Sequence, residues 1–420
     1  MTAAITNKVL YVHLGGELGG APLSMIQLAQ SLPPDELEAV LVFSSDGPVV
    51  QHARNLGLRV RVVPFRDSLF YGAHTPFSPM MAVRLVATMR STIRRIERVI
   101  AEERPAIVHL NTIVLVQAAL AARRHGVPII WHVREVLGDL APVRILQTRL
   151  ISHLATRIIA NSNASGAPFM HSGKLTRIYN GVDTQLFRPG SLEEQSRVRS
   201  ELGIPAKALV IGMVGSVQAP KGHFVMLEAF EQLVGRFPDV RLLLVAGGVR
   251  GDYARSWKGR IKRALHRPYG LLEELLERAE QRGVRHRIHV TGYRLDVHRL
   301  LWAMDVLAFP SQKPEGFGRP IVEAMAAGLP VVAVNVGASP ELVLHSETGL
   351  LAPPSDARGL AEAIGWIRTH PDERRAMGRS ARERAVASFS ESTYASEVLE
   401  VYRDVLASAP SRAIPAGRLH

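Results

Sequence analysis

None of the 420 residues is cysteine, which excludes a disulfide framework, a thiolate metal site and a cysteine nucleophile, and suits a reducing cytosol. Long apolar runs are missing too. Arg or Lys interrupts every stretch that approaches the roughly 18 residues a spanning helix needs, so no transmembrane helix is expected. The N-terminus is apolar only briefly, from Ile5 to Leu14, and no small-residue cleavage site follows. No signal peptide is expected, which places the protein in the cytoplasm. Aromatic residues are 6% of the chain and no basic stripe is interleaved with them, which argues against nucleic acid as a partner. The histidines show no metal-site spacing.

What remains is an ordinary globular composition, 47% hydrophobic and 21% charged, on a chain long enough for two cores. The net charge is +13 and the first 190 residues are the more basic part. Such a surface is either simply well solvated or attracts something anionic.

Short β-branched runs alternate with helical patterns. Lys8–His13, Ala39–Ser44, Arg59–Pro64, Ala106–Leu110, Pro128–His132 and Arg157–Ala160 read as buried strands, and Ala208–Val214, Val240–Ala246, Arg287–Val290, Val306–Phe309 and Pro330–Val334 form a second series. Near-continuous apolar runs joined by helices indicate parallel sheets covered on both faces. The expected class is α/β with two doubly wound, Rossmann-like domains: 1–190, then 191–388 after a linker near 188–205. A helix at 389–409 is expected to pack back toward the first domain, and 410–420 reads as a disordered tail.

The most informative segment runs Glu315-Gly316-Phe317-Gly318-Arg319-Pro320-Ile321-Val322-Glu323, directly after a strand end. Pro320 suits the first turn of a helix, so the backbone N–H groups of Gly316 to Arg319 should face an anion such as a diphosphate. Glu315 and Glu323 flank that backbone, and carboxylates beside an anion make sense where they hold hydroxyls, as the ribose and hexose of a nucleotide sugar supply. In the alternative reading Glu323 balances charge on its helix and the glycines form a turn. The glycine-rich loop Gly15-Gly16-Glu17-Leu18-Gly19-Gly20 fits neither a dinucleotide fingerprint nor a Walker loop, leaving a tight turn or a close approach to ligand. His132 ends a strand, with His13, His109, Asn111 and Asn161 as weaker candidates near other strand ends.

These motifs, in this order, resemble the retaining glycosyltransferases of the GT-B fold that share a Glu, seven residues, Glu signature. Ile178-Tyr179-Asn180-Gly181-Val182-Asp183 through Pro189 is similar to their interdomain segment, and Gly292-Tyr293-Arg294 resembles the approach to their donor site. Val336-Gly337-Ala338-Ser339-Pro340-Glu341 resembles their Gly-Gly-x-Pro-Glu turn, with Ala338 replacing a glycine.

The resemblance implies a central cleft between two domains, with the acceptor on the first and the nucleotide-sugar donor on the second. It gives Glu323 the ribose hydroxyls, Glu315 the transferred sugar, Lys221 the diphosphate and His132 a donor-sugar contact. Gly316, Phe317, Gly318, Arg319, Tyr293, Arg294, Gly19 and Gly20 complete the donor-side set. Ser216 stands where many members carry an arginine, so Arg294 or Arg319 is expected to meet the second phosphate charge. No metal or other cofactor is implied, the acceptor being a glycan or lipid-linked hydroxyl in envelope polysaccharide or glycolipid synthesis. An inverting transferase or epimerase of the same fold should lack the paired glutamates, and an inactive binding homologue would not need them intact. Two basic stretches remain: Arg84–Arg104 reads either as a core helix with a solvated face or as a cationic amphipathic helix, and an insertion at 249–270 as a mobile loop, a cover over the donor or a lipid contact, the membrane readings implying reversible attachment to an anionic surface.

Overall fold

The computed structural model describes residues 7–65, 79–246 and 270–408. The basic insertion through Arg267 and the segment 410–420 lie outside the described residues, as do the side chains of Arg84 and Leu85. The chain divides into two compact units.

The first unit carries β1 (Asn7–His13), β2 (Leu37–Phe43), β3 (Arg59–Val62), β4 (Ile107–Leu110), β5 (Ile129–Val133), β6 (Arg157–Ala160) and β7 (Leu175–Arg177). They form one parallel sheet in the order β3-β2-β1-β4-β5-β6-β7. Because side chains alternate across a strand, Leu10, Val12, Val108, Leu110, Trp131 and Val133 enter one core while Val9, Tyr11, Ile107, Ile130 and Ile159 enter another on the opposite face. That second core is closed by the helix Glu391–Ser408, through Tyr394, Val398, Val401, Tyr402 and Val405.

The second unit carries β8 (Leu209–Val214), β9 (Val240–Val245), β10 (Ile288–Val290), β11 (Val306–Phe309), β12 (Val331–Val334) and β13 (Gly349–Ala352). Its parallel order is β10-β9-β8-β11-β12-β13. The same alternation places Val210, Leu243, Leu307 and Phe309 on one face and Leu209, Ile211, Leu242 and Ala308 on the other.

The expected boundary at residue 190 lies instead at Ile178/Tyr179. β7 closes the first sheet at Arg177, after which Val182 and Phe187 already belong to the second unit's core, with Tyr179 packed against it. The final helix divides at Tyr394, whose ring and those beyond it are counted with the first unit. Among the described residues no helix is long and apolar enough to cross a membrane.

Candidate functional site

In each sheet the order reverses once, between β1 and β4 and between β8 and β11. Beyond the carboxyl ends of the strands at such a switch point, crossovers leave on opposite faces and open a crevice. In the second unit the loops emerging there are Gly215–Gly222, after β8, and Pro310–Gly318, after β11.

These two loops are tied together. The Gln312 N–H donates to the Pro220 carbonyl at 2.8 Å, and the Ser311 hydroxyl oxygen lies 3.2 Å from the same carbonyl. Gly222, in the left-handed region at φ 76°, abuts β11's end so closely that a Cβ would lie 1.8 Å from the Pro310 carbonyl oxygen. Lys221 is thereby held over the second loop, where its Nζ donates to Glu315 Oε2 at 2.6 Å while the Ser311 hydroxyl donates to Oε1 at 2.5 Å. The pair stays partly open, with side-chain exposures of 28% and 16%. Gly337 braces Glu315 from beneath. Its φ is 57°, a Cβ there would sit 2.5 Å from the Glu315 nitrogen, and the following Ala338 N–H donates to the Glu315 carbonyl.

The helix Arg319–Ala326 starts from Gly318, with Pro320 in its first turn. Among the described residues the backbone N–H groups of Gly316, Phe317 and Gly318 donate to nothing. This row of donors and the dipole end beside them suit an anion. Glu323, one turn into the helix, is buried and accepts from Arg319 Nε at 2.6 Å. Burial holds its carboxyl above the ordinary range although Arg319 pulls the other way.

Other expected members have different roles. The Phe317 ring lies in the core, 6.2 Å from Tyr179 and 6.3 Å from Phe389, which leaves only its backbone N–H open. Arg294 forms a two-pronged pair with Asp296 at 2.7 and 2.6 Å, and Arg319 is engaged by Glu323. Each guanidinium suggested as a second phosphate ligand thus already has a carboxylate. Ser216 accepts from Gln218, and Tyr293 is 63% exposed.

In the first unit the switch point gathers polar side chains in pairs two residues apart: Tyr11 and His13 on β1, His109 and Asn111 at the end of β4, His132 and Arg134 at the end of β5. All are buried on the face covered by Tyr394 and Tyr402. Arg134 donates through Nε to Asn111 Oδ1 at 2.8 Å and through Nη2 to the Tyr394 hydroxyl at 2.9 Å. Arg134 Nη2 also lies 3.3 Å from His132 Nδ1, to which His109 Nε2 approaches at 3.2 Å. His109 Nδ1 is 2.7 Å from the Tyr402 hydroxyl, itself 2.9 Å from that of Tyr11, and Asn111 Nδ2 is 3.1 Å from His13 Nδ1. Burial and the Arg134 charge hold His13 down to about 3 and push His109 and His132 well below the usual range, so all three rings are neutral near pH 7. His132 Nε2 is fully buried and meets no partner among the described residues. A buried polar atom left so costs about 1–3 kcal/mol. Next to Arg134, burial raises the Glu135 carboxyl to about 7, against N–H groups donated by Ile113 and Arg134. Gly19 caps the helix Gly20–Gln30 in ordinary extended backbone, and a Cβ there would come no nearer than 3.7 Å to Pro22. The chain's own packing thus leaves Gly19 room for a side chain.

Sequence reading missed Arg134, Tyr394 and Tyr402. Period-two spacing from His132 would have found the first, whereas 293 residues separate Tyr402 from His109. Among the described residues no cluster of three or more His, Asp or Glu is arranged to hold a metal.

Comparison with known proteins agrees with the second unit's geometry. The family described as Glycosyl transferases group 1 matches residues 194–384, and Glycosyltransferase Family 4 matches 18–186. A D-inositol 3-phosphate glycosyltransferase of Saccharomonospora viridis is 30% identical over 364 residues, covering 79% of this chain and 78% of the relative. The Corynebacterium urealyticum protein of that name is 32% identical over 285 residues, which is 65% of this chain and 63% of the relative's length. Among solved structures, Anabaena HepE in complex with UDP superposes with a TM-score of 0.75 at 25% identity, covering 94% of this chain and all of that one. HepE has also been seen with UDP-glucose, at a TM-score of 0.73. A Rickettsia africae glycosyltransferase, 19% identical with a TM-score of 0.78, shares the fold. Two parallel-sheet units of this topology, matched along most of their length, place the chain in the glycosyl transferases group 1 family, with the GT-B fold.

Proposed function

We propose that this protein is a retaining glycosyltransferase that moves a hexose-type sugar from a UDP- or GDP-sugar to a hydroxyl acceptor in envelope polysaccharide or glycolipid synthesis. The observation that carries the reading is the second unit's switch point, where Lys221, Glu315, Ser311 and the open N–H groups of Gly316 to Gly318 meet. The lysine and amides suit a diphosphate, Glu315 has lone pairs left for sugar hydroxyls, and Glu323 suits the ribose. UDP and UDP-glucose in HepE favour a uridine donor. In the first unit, His132 offers a neutral imidazole to a sugar hydroxyl, and Gly19 permits a ligand to approach the backbone.

In the proposed chemistry the acceptor oxygen bonds to the anomeric carbon on the face from which the diphosphate leaves. The carbon–phosphate-oxygen bond breaks, and the acceptor proton passes to the departing phosphate. Lys221 and the amides stabilise the growing charge in place of a divalent cation. The test is transfer in EDTA, with the product's anomeric coupling read by NMR. Full activity and a retained anomer are expected, whereas activity that needs added divalent ion, or an inverted anomer, contradicts the reading.

Where transfer takes place rests on the helix Pro79–Glu103. Met80, Val83 and Val86 are exposed, and Arg90, Arg94 and Arg98 follow at four-residue spacing, exposed and without an ion pair among the described residues. An apolar tip followed by a cationic stripe suits the anionic face of the cytoplasmic membrane and a lipid-linked acceptor. The names of the curated relatives favour a second reading, a soluble phosphorylated polyol as acceptor.

A further inference from the structure

We propose that the first unit docks on an anionic lipid leaflet through two helix tips, an outward stripe of the helix Ala141–Leu154 joining the tip of Pro79–Glu103. This rests on the membrane reading of Pro79–Glu103 given above and extends it to a second face. Ala141–Leu154 is apolar on two sides. Val143, Leu150, Ile151 and Leu154 pack into the first core. Pro142, Ile145, Leu146 and Arg149, at the i, i+3, i+4, i+7 spacing of one helix stripe, are exposed, Ile145 by 49% and Leu146 by 54%. Leu140, just before the helix, is 49% exposed as well. A helix that buries one stripe ordinarily gives the opposite side to polar residues, so this second stripe is a face without its partner.

The two tips share one rim. The steps from β3 to β4, β4 to β5 and β5 to β6 all run the same way across the sheet, so right-handed crossovers put their three helices on one face. Ile93, Ala118 and Ile151 accordingly share a core, and Val116–Arg124 packs against both neighbours. Each crossover helix starts at the carboxyl ends of the parallel strands, where the crevice between β1 and β4 also opens.

Both tips are layered alike. On Pro79–Glu103 the exposed Met80, Val83 and Val86 come first, and Arg90 follows Val86 by four residues. On the other helix Arg149 follows Ile145 by four, about 6 Å along the axis. Ala141–Leu154 holds Arg144, Arg149 and His153 and no acidic residue, the nearest acid in sequence being Asp139 ahead of it. A second copy of this chain on the stripe would set arginine against arginine. An anionic leaflet satisfies both layers, its acyl boundary taking apolar side chains roughly 5–10 Å deep and its headgroups taking the arginines behind them. A hydroxyl acceptor anchored in that leaflet then lies beside the rim where the crevice opens.

Because the chain has no cysteine, single cysteines can carry an environment-sensitive nitrobenzoxadiazole probe. Val83→Cys and Ile145→Cys report on the two tips, and His52→Cys, on the helix Pro48–Asn55 that packs into the opposite core, is the control. The labelled full chain is mixed with phosphatidylcholine vesicles with and without phosphatidylglycerol, and nitroxide lipids serve as quenchers. With anionic vesicles the probes at positions 83 and 145 should shift to the blue and be quenched, while the probe at 52 stays in water. Ile145→Ser combined with Leu146→Ser should lower the partition coefficient roughly tenfold, the effect of withdrawing two partly buried apolar side chains, at an unchanged melting temperature. Protein that pellets with anionic vesicles while the probe at 145 stays in water overturns the proposal and leaves the reading of Pro79–Glu103 standing. Failure to bind anionic vesicles at low salt overturns both. A probe at 145 shielded without lipid, in a chain that sediments as a dimer, gives the stripe to a second copy and also overturns the proposal.

Discussion

Lys221 Nζ lies 2.6 Å from Glu315 Oε2, a contact that joins residues 94 positions apart at the carboxyl ends of β8 and β11. One of the two is proposed to meet a diphosphate and the other a sugar, and in this structure each satisfies the other. A donor whose phosphate reaches Lys221 and whose hydroxyls reach Glu315 replaces one close ion pair by two contacts, at a site already shaped by Gly222 and Gly337.

Glu323 is expected to act in donor affinity more than in turnover, because ribose contacts are nearly equal in ground and transition states. Its carboxyl is held above the usual 4.5 by burial, so the free protein keeps this proton to higher pH than an exposed glutamate does. Donor binding that uses the carboxylate should therefore tighten as pH rises through a midpoint above 4.5. In Glu323→Gln, titration calorimetry should find weaker binding and a flattened pH dependence. Parent-like affinity at every pH would remove Glu323 from the donor site.

Gly337→Ala introduces a Cβ both at positive φ and against the Glu315 nitrogen. The cost should be about 1–3 kcal/mol, visible as a lower melting temperature, and turnover should fall as the Glu315 loop shifts. Unchanged melting and unchanged turnover together would mean that this turn does not brace Glu315.

Arg90, Arg94 and Arg98 are expected to bind anionic vesicles at low salt and release them at high salt, each contributing roughly 1 kcal/mol near the surface. Sedimentation with anionic and neutral vesicles should show the parent pelleting with anionic lipid alone, and a triple Arg→Ser variant staying in solution. Parent protein that fails to pellet even at low salt favours the soluble phosphorylated acceptor.

The fold was legible where burial on both faces makes a strand an apolar run, as at Val9 to Val12 or Val331 to Val334. β7 escaped because Leu175-Thr176-Arg177 is short and half exposed, and β13 because Gly349-Leu350-Leu351-Ala352 is short and begins with glycine. At the site, Lys221, Glu315 and Glu323 were legible as motifs. Motif reading could not tell that Arg294 and Arg319 already hold carboxylates, or that the Phe317 ring is core, because those facts depend on side-chain direction. The linkage of Tyr402 to His109 depends on a helix returning across nearly 300 residues, for which local sequence carries no signal.

The central claim is transfer from a nucleotide sugar through the Lys221 and Glu315 site, and release of nucleoside diphosphate tests it most directly. The parent and Lys221→Ala are incubated with a panel of UDP- and GDP-sugars, with and without candidate acceptors. The parent should release diphosphate from one donor in an acceptor-dependent way, and Lys221→Ala should be slower by roughly 100-fold or more, the loss expected on removing a leading stabiliser of developing charge. No release from any donor by the parent, or a Lys221→Ala rate within about twofold of it, would contradict the account.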